Sequence, residues 1–428
     1  MIFLAAAIAV VSQPSVSGPA AQTPMRRILV MPDLSTRDVV VTRLGEVVKY
    51  VGPSGRTVSV PLSELLAILP AERSSGPASG NVKEAMIAAA ASEGTESGHA
   101  SLLMLSSGEV IRGTPVWPES ASESFGWKSD VLGLQAVTLD AILGWRRESS
   151  AGKPALRPSG AGDTVILANG DVLTGFLETV CASGIDIEVD KKKRSLDPAL
   201  VVSAMIATPV KAAKGPMVYL SDGSVLLIDG LGAGSGSQAA LTANRQGQTL
   251  AISSDSIVAY ASQAGALGSL AGVALSSESP TGGRDWTPPI EVVDSGAPMG
   301  VSDIVLPGPM EARWVLPDES TGIAATLELD PASRVWGDCV VTVTLEPTKG
   351  TALEIVKARL WEESASTAFV AQTSGGWTLR IRVDPGERGP VQDRIVIRRS
   401  LISLAKPGSG VSSPAKPEPG IREPDGGK

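Results

Sequence analysis

Three tryptophans and three charged residues in the C-terminal third of the chain have side chains suited to binding a ligand. An exposed indole ring presents a flat apolar face that packs against a sugar ring, and carboxylates or guanidinium groups beside it fix hydroxyl groups. The residues of this type that stand near one another predict a carbohydrate-binding site. These candidates are Trp336, Trp361, Trp377, Asp384, Arg388 and Asp393.

Structural roles compete with binding at several of these positions. Trp314 and Trp377 stand in segments where apolar and polar residues alternate, which favours a place in the core, whereas Trp336 stands in a predicted loop and is the expected exposed ring. Asp384 and Asp393 flank a Pro-Gly turn and are expected to cap it with side-chain hydrogen bonds. No cofactor is predicted, and a structural Ca²⁺ at these two carboxylates is the alternative.

The residues needed for the common hydrolytic mechanisms are missing from the chain. His99 is the only histidine and stands in a predicted linker, which argues against a His-based triad or metal site. Glu362 and Glu363 are adjacent, so in a strand their side chains point to opposite faces and do not form a catalytic pair. We therefore expect no enzyme, with a glycosidase as a weak alternative.

The charge of the chain argues against a nucleic-acid partner. The formal net charge is -8, and binding to a polyanion needs a concentrated basic surface. Lys191, Lys192, Lys193 and Arg194 form the one basic cluster, and alignment with the neighbouring repeats predicts a solvated turn there. No nucleic-acid partner is expected.

The C-terminal region, residues 264–404, is predicted to be a separate β-sandwich. Several segments alternate apolar and polar residues, so each buries one face, and two antiparallel sheets packed face to face satisfy this pattern. The predicted strands are 312–316, 324–329, 339–345, 355–360, 377–383 and 394–399.

This region resembles the NPCBM family, the novel putative carbohydrate-binding module. The resemblance covers about residues 270–404 and rests on Asp285-Trp286, the segments SGAPM at 295–299 and EARWVL at 311–316, and above all LRIRVDPGERGPVQDR at 379–394. It implies a galactose-binding-like, jelly-roll β-sandwich of exported bacterial proteins, with sugar binding in some members. Where the family commonly has Gly-Leu-Gly-x-His-Ser, this chain has SDIVLPGP at 302–309, without a histidine.

A repeated motif organises the residues before the sandwich. LSSGEVIRG at 105–113, LANGDVLTG at 167–175 and LSDGSVLLI at 220–228 each predict a β-hairpin with a two-residue polar turn closed by glycine. We predict an all-β protein with a series of small barrel-like units that resemble SH3-like or Sm-like barrels, the first without a clear opening hairpin. The predicted units are 26–73, 100–148, 163–209 and 216–262.

The remaining segments predict export and flexible connections. An apolar run opens the chain, and residues 1–21 are predicted to be an atypical signal peptide, too short to span a bilayer. Residues 74–99 and 149–162 are predicted linkers, and 405–428 a disordered tail, from their composition. These patterns favour a bacterial protein of the periplasm or the extracellular space without a membrane span.

Two functions follow from these observations and stay open at this point. The first is non-catalytic binding of a glycan or cell-envelope polysaccharide by the C-terminal sandwich. The second is a structural role, or an interaction with cell-envelope proteins, in which the sandwich has lost its sugar site. The missing histidine segment favours the second, and the tryptophans favour the first.

Overall fold

The computed structural model describes residues 24–52, 54–71, 100–147, 162–211, 213–233, 240–245, 248–293, 297–373 and 375–404. The predicted leader, the linker with His99, nearly all of the second linker and the predicted tail lie outside these residues. The chain divides into two units, the first of Met1–Leu267 with Gly296–Gly300 and the second of Gly268–Ser295 with Val301–Lys428. Strands joined by turns and single-turn 3-10 helices build both units, which confirms the all-β prediction.

None of the described segments contains a helix with the length and apolar character needed to cross a bilayer.

The first unit consists of four consecutive groups of strands. Group 1 has β1 (Met25–Val30), β2 (Thr36–Arg43), β3 (Val47–Val51), β4 (Thr57–Pro61) and β5 (Ala67–Pro70). Group 2 has β6 (Ser101–Leu105), β7 (Val110–Val116), β8 (Ser124–Ser129), β9 (Gly133–Thr138) and β10 (Ile142–Arg147), and group 3 has β11 (Asp163–Leu167), β12 (Val172–Cys181), β13 (Gly184–Val189), β14 (Lys192–Leu196) and β15 (Val201–Met205). Group 4 has β16 (Met217–Leu220), β17 (Val225–Leu227), β18 (Gly230–Ala233), β19 (Ala240–Arg245), β20 (Gln248–Ser253) and β21 (Ile257–Ala261).

Every group closes on itself in the same way. A 3-10 helix, such as Leu62–Glu64 in group 1, precedes the last strand, and that strand pairs antiparallel with the first strand of its own group. In group 1, for example, Ile28 lies opposite Leu69. This closure directs alternate side chains of the strands into a shared interior.

The repeated motif forms three-residue hairpin loops, so the predicted two-residue turns are wrong. In group 2 the N–H of Leu105 donates to the carbonyl of Glu109 at 2.9 Å, and that of Gly108 donates to the carbonyl of Leu105 at 2.9 Å. Gly108 has φ 84°, the left-handed conformation that closes such a loop with little strain when the residue is glycine. The loops of groups 3 and 4 repeat this geometry around Gly170 and Gly223.

Group 1 has an opening hairpin, which corrects the expectation that it lacks a clear one. β1 pairs with β2 along its whole length, and the N–H of Met31 closes the loop between them by donating to the carbonyl of Ser35 at 2.9 Å. Leu34 lies in this loop with φ 64°. The sequence signal was absent because a residue with positive φ is usually glycine or asparagine.

Strand pairing between equivalent positions joins group 2 to group 3 and group 1 to group 4. Trp145 of β10 lies opposite Ala204 of β15, and Ile68 of β5 lies opposite Tyr260 of β21. All four residues stand at the same place relative to the 3-10 helix of their group, so each antiparallel contact has local twofold symmetry. One continuous hydrophobic core draws on every group of the unit.

A buried ion pair reinforces the contact between groups 2 and 4. Nε of Arg245 donates to Oε1 of Glu109 at 3.0 Å, and the Glu109 side chain is 1% exposed. The same Oε1 accepts the backbone N–H of Leu227 at 3.0 Å, while the Ser224 hydroxyl accepts the backbone N–H of Arg112 at 3.0 Å. Glu109 and Ser224 each follow the glycine of their hairpin motif. The side chain of each hairpin therefore accepts a hydrogen bond from a backbone N–H of the other hairpin.

The basic cluster is only partly a turn, which corrects the sequence interpretation. Asp190 and Lys191 have positive φ and form the turn, whereas Lys192–Leu196 is strand β14. The ammonium group of Lys193 contacts the carboxylates of Asp186 at 3.1 Å and Glu178 at 3.2 Å. Hydrogen bonding to Asp186 and then to Glu178 raises the pKa of Lys193.

The second unit is a sandwich of two antiparallel sheets. Its strands are β22 (Leu267–Ser269), β23 (Leu275–Pro280), β24 (Glu291–Val293), β25 (Asp303–Pro307), β26 (Met310–Val315), β27 (Ser320–Leu329), β28 (Cys339–Glu346), β29 (Leu353–Leu360), β30 (Ser366–Gln372), β31 (Thr378–Pro385) and β32 (Arg394–Leu404). One sheet has the order β24-β25-β32-β27-β30 with β22 also on β32, and the other has the order β23-β26-β31-β28-β29. Apolar side chains from both sheets form a single core that includes Trp314, Leu327 and Ile381.

Candidate functional site

Several loops of the second unit meet at one end of the sandwich. β28 begins where β31 ends, because Cys339 lies opposite Pro385, and β29 ends beside them, because Cys339 also lies opposite Leu360. The chain before β28, after β29, and between β31 and β32 therefore lies at this end, which we call the loop end. It contains residues 330–338, 361–365 and 386–393, together with residues 281–286 after β23.

Asp338 is the centre of the loop end. Its carboxylate is fully buried and accepts two hydrogen bonds from Arg359, from Nε to Oδ1 at 2.7 Å and from Nη2 to Oδ2 at 2.8 Å. Oδ2 also accepts the backbone N–H of Arg388 at 3.1 Å. Hydrogen bonding to Arg359 lowers the pKa of Asp338, so the carboxylate is charged at neutral pH.

The loop after β31 lies directly on Asp338. The N–H of Gly386 donates to the Asp338 carbonyl at 2.7 Å. A Cβ atom at position 386 would overlap both Oδ1 and the carbonyl oxygen of Asp338. Only glycine therefore allows this loop to approach the buried carboxylate so closely.

Asp393 is a second buried carboxylate at the loop end, and its environment differs. The residue is 1% exposed, and Oδ1 accepts the backbone N–H of Asp338 at 3.3 Å. Among the described residues, Oδ2 has no hydrogen-bond partner. Burial raises the pKa of Asp393 to about 6, with a smaller contribution from the neighbouring Asp338 charge, and the Asp338 N–H and Arg284 oppose the increase.

Arg359 links the buried cluster to the surface. Its Nη1 contacts the exposed Glu387 carboxylate at 3.0 Å, and its guanidinium carbon lies 5.7 Å from the centre of the Trp361 ring. Hydrogen bonding to Asp338 and then to Glu387 raises the pKa of Arg359. A guanidinium over an indole face is a favourable cation–π arrangement, so the Trp361 ring is held in place.

Trp336 projects into solvent from a well-anchored backbone. The residue is 63% exposed, and its N–H donates to the Ser333 carbonyl at 3.2 Å. The preceding 3-10 turn, Pro331–Ser333, is capped by Asp330. On the other side, Nη1 of Arg388 donates to the Val335 carbonyl at 3.2 Å. These contacts fix the position from which the ring projects.

Trp286 is a second exposed ring in the segments of the loop end, with an exposed fraction of 70%. Two residues earlier, Arg284 donates from Nη1 to the Gly308 carbonyl at 3.2 Å and from Nη2 to the Pro390 carbonyl at 2.7 Å. Arg284 thus connects the segment before Trp286 to the same loop that carries Arg388.

The structure brings four of the six predicted site residues to the loop end, places Asp384 next to it near the end of β31, and puts Trp377 at the opposite end of the sandwich. Trp336, Trp361, Arg388 and Asp393 belong to the loop end. Asp384 lies on β31 and accepts a hydrogen bond from Nε of Arg382 at 2.7 Å.

Trp377 lies at the opposite end of the sandwich. It immediately precedes β31, whereas the loop end follows that strand, so the two positions are roughly 25 Å apart for an eight-residue strand. The Trp377 ring packs against the core, and Trp314 is buried within it. The sequence grouped Trp377 with the site because Trp377 is close in number to Asp384. The length of β31 separates Trp377 from the loop end in space.

The expected caps of the Pro-Gly turn are wrong. Asp384 bonds to Arg382, and Asp393 bonds to the N–H of Asp338. Asp338 holds the turn instead, through its carbonyl to Gly386 and its carboxylate to the N–H of Arg388. Cross-strand pairing placed Asp338 against this turn, and sequence proximity alone gave no sign of it.

The sequence interpretation also left Arg284, Trp286, Asp338 and Arg359 out of the site. Trp286 was noted as part of the family resemblance, and its neighbour Arg284 carried no separate signal. The sequence around Arg359 predicts only an outward-facing residue of a strand. Across the described residues, no group of three or more His, Cys, Asp or Glu side chains is placed to hold a metal ion.

Comparison with known proteins gives weak structural likenesses. No protein-family model and no curated protein matches the chain, so the resemblances to the NPCBM family and to SH3-like or Sm-like barrels stay predictions. The chain is similar to CBM51 from Clostridium perfringens GH95 in complex with methyl-galactose, with 12% identity and a TM-score of 0.26 over 32% of this chain and 99% of that chain.

Two further structures are similar at the same level. CBM51-2 in complex with GlcNAc and INT domains from Clostridium perfringens ZmpB is 9% identical, with a TM-score of 0.26 over 44% of this chain and 43% of that chain. The tandem CBM51 modules of the family 98 glycoside hydrolase from Streptococcus pneumoniae are 8% identical, with a TM-score of 0.26 over 90% of this chain and 92% of that chain. The neighbours are thus carbohydrate-binding modules, and the likeness is too weak to identify a ligand of this chain.

Proposed function

We propose that the second unit binds a glycan at its loop end, without catalysing a reaction on it. The observation that carries the proposal is the 63% exposed Trp336 ring on a backbone fixed by Ser333 and Arg388. A large exposed aromatic ring has an unfavourable contact with water, which stacking on a sugar face removes. The fixed backbone means that little conformational freedom is lost on binding.

Polar groups beside the ring supply the second requirement for sugar recognition. Arg388 is exposed, and the Glu387 side chain is 82% exposed although it contacts Arg359. A guanidinium donates and a carboxylate accepts hydrogen bonds, so together they serve both roles of a sugar hydroxyl. The buried Asp338 and its partner Arg359 hold both residues in position.

The two buried carboxylates at the loop end favour binding over hydrolysis. A glycosidase needs two carboxyl groups that reach the glycosidic bond from either side. Asp338 is occupied by Arg359 and Arg388, and Asp393 is 1% exposed. We therefore include the absence of catalysis in the proposal, together with export to the periplasm or the cell surface of a bacterium.

A glycan array probed with the full chain tests the proposal, with Trp336→Ala and Trp377→Ala as matched variants. We expect binding to at least one glycan, its loss in Trp336→Ala and its retention in Trp377→Ala, since Trp377 lies at the other end of the sandwich. Binding that survives Trp336→Ala would exclude the proposed site. Release of new reducing ends from a bound glycan would contradict the non-catalytic role.

A second candidate function is a structural or protein-binding role in the cell envelope. Phe176 and Val172 of β12 are 65% and 58% exposed, and their spacing places them on the same face of the strand. Exposed apolar side chains on one face suit contact with another protein. The absence of binding to every glycan on the array would favour this role.

A further inference from the structure

We infer that the glycan bound at the loop end is acidic and carries carboxylate or sulfate groups. The inference rests on the proposed function and adds the class of ligand. It comes from Arg388, which donates to the carbonyl next to Trp336, and from Arg284, which precedes Trp286 by two residues. Both arginines donate to main-chain carbonyls and not to carboxylates.

The arginines of this region fall into two kinds. Arg334, Arg359 and Arg394 each pair with one or two carboxylates. Arg388 and Arg284, by contrast, donate to main-chain carbonyl oxygens. Within the described part of the chain, neither of these two lies within ion-pair distance of a carboxylate, although Arg284 has a longer-range electrostatic interaction with Asp393.

These two side chains keep their positive charge and unused hydrogen-bonding capacity. A guanidinium has five N–H donors, and Arg388 uses one nitrogen in its bond to the Val335 carbonyl. A carbonyl oxygen orients the group without neutralising it. The longer-range interaction with Arg284 lowers the pKa of Asp393, against the larger effect of burial, and the hydrogen bonds of Arg284 go to the carbonyls of Gly308 and Pro390.

Each arginine is connected to an exposed tryptophan. Arg388 binds the carbonyl of the residue before Trp336, and Arg284 precedes Trp286 by two residues. Arg284 also binds Pro390, two residues beyond Arg388, so both cations contact the loop between β31 and β32 or belong to it. A planar guanidinium pairs with a carboxylate or sulfate through two parallel hydrogen bonds, which a neutral sugar does not provide.

The experiment compares acidic and neutral probes that share the same sugar backbone. The full chain is titrated with oligogalacturonate and its methyl ester, and with sulfated and unsulfated galactan, beside a glycan array that holds acidic and neutral glycans. We expect binding confined to acidic glycans, weakening as salt is added. Equal or exclusive binding of neutral glycans would overturn the inference and leave the proposed function standing. No binding to any glycan would overturn both.

Variants then test the residues on the tightest acidic glycan. Arg388→Gln is expected to reduce affinity roughly 10- to 100-fold, the range for loss of a charge-assisted hydrogen bond. Arg313→Gln removes the same charge from an arginine paired with Glu311 and Glu346 and is the matched control, expected to change affinity less than about twofold. Unchanged affinity in both Arg388→Gln and Arg284→Gln would overturn the inference, because neither cation would then read the acidic group.

Discussion

Asp338 and Arg359 form a two-point ion pair in which one partner is fully buried and the other reaches solvent. The bonds measure 2.7 Å from Nε to Oδ1 and 2.8 Å from Nη2 to Oδ2. The exposed fractions of the two side chains are 0% and 38%. Asp338 also holds Gly386 and Arg388, so one residue ties the start of β28 and the end of β29 to the loop after β31.

Asp338→Asn should destabilise the second unit and weaken glycan binding. The change removes the negative charge that compensates Arg359. An amide has one acceptor oxygen, so one of the two Arg359 donors loses its partner, at a cost of about 3 kcal/mol in the free energy of unfolding. Urea unfolding measures this cost, and hydrogen exchange assigns it to the second unit. The control is Arg382→Gln, which breaks an exposed pair with Asp384 and should cost less than about 1 kcal/mol. Equal costs for the two variants would contradict a central role for Asp338.

Asp393→Asn should change how stability depends on pH. The folded-state pKa of Asp393 is about 6, above the ordinary value of 3.8, so the folded protein binds this proton more tightly than the unfolded chain does. The contribution of Asp393 to the free energy of unfolding is fully present below about pH 4 and is lost as the pH rises through about 6. The asparagine does not titrate, so the variant should gain about 1–3 kcal/mol relative to the native protein between about pH 4 and 7. Urea unfolding at several pH values measures the difference, and parallel pH profiles would rule out the raised pKa.

Glu109→Gln should destabilise the contact between groups 2 and 4 of the first unit. It leaves the buried Arg245 guanidinium without a negative partner, and removal of one member of a buried pair costs about 3–5 kcal/mol. Ser224→Ala, which removes a neutral acceptor for the N–H of Arg112, should cost about 1–2 kcal/mol. Hydrogen exchange at β7 and β17 would report both changes. A smaller effect from Glu109→Gln than from Ser224→Ala would contradict the importance of the ion pair.

Gly144→Ala should disrupt the pairing of groups 2 and 3. Gly144 has φ 148°, and a Cβ atom there would overlap the Ala204 carbonyl oxygen, so β10 and β15 would have to separate. We expect a loss of more than about 3 kcal/mol, measured by urea unfolding. Gly108→Ala is the control: its φ is also positive, but the space around it is open, so the cost should stay near about 1 kcal/mol. Similar costs at both positions would mean that the strands accommodate the added methyl group.

Trp377→Ala and Trp336→Ala should separate stability from binding. The half-buried Trp377 packs against the core, so its truncation should cost about 2 kcal/mol and leave glycan affinity unchanged. Trp336 is 63% exposed, so its truncation should change stability by less than about 0.5 kcal/mol while abolishing binding. Thermal unfolding and glycan titration of the same preparations measure both effects. A loss of glycan binding in Trp377→Ala, without a loss of stability, would show that Trp377 belongs to the binding site.

The sequence determined the strand content and much of the local geometry. Alternation in segments such as 379–383 identified strands of the sandwich, and the glycines at 108, 170 and 223 marked hairpin loops, since both signals depend on neighbouring residues only. It was less informative where local chemistry is unusual. Leu34 takes a left-handed conformation without being glycine, and the exposed strand Glu291–Val293 has little apolar alternation.

The tertiary structure decided which residues belong together at the loop end. Asp338, Arg359 and Arg388 come from three separate segments, and only the register of β28 against β29 and β31 brings them into contact. The same strand geometry removes Trp377, which is closer in sequence to Asp384 than Trp336 is but lies at the other end of β31. Sequence composition showed that tryptophans and charges were available, whereas long-range strand pairing, which no local pattern encodes, determined which of them form a site.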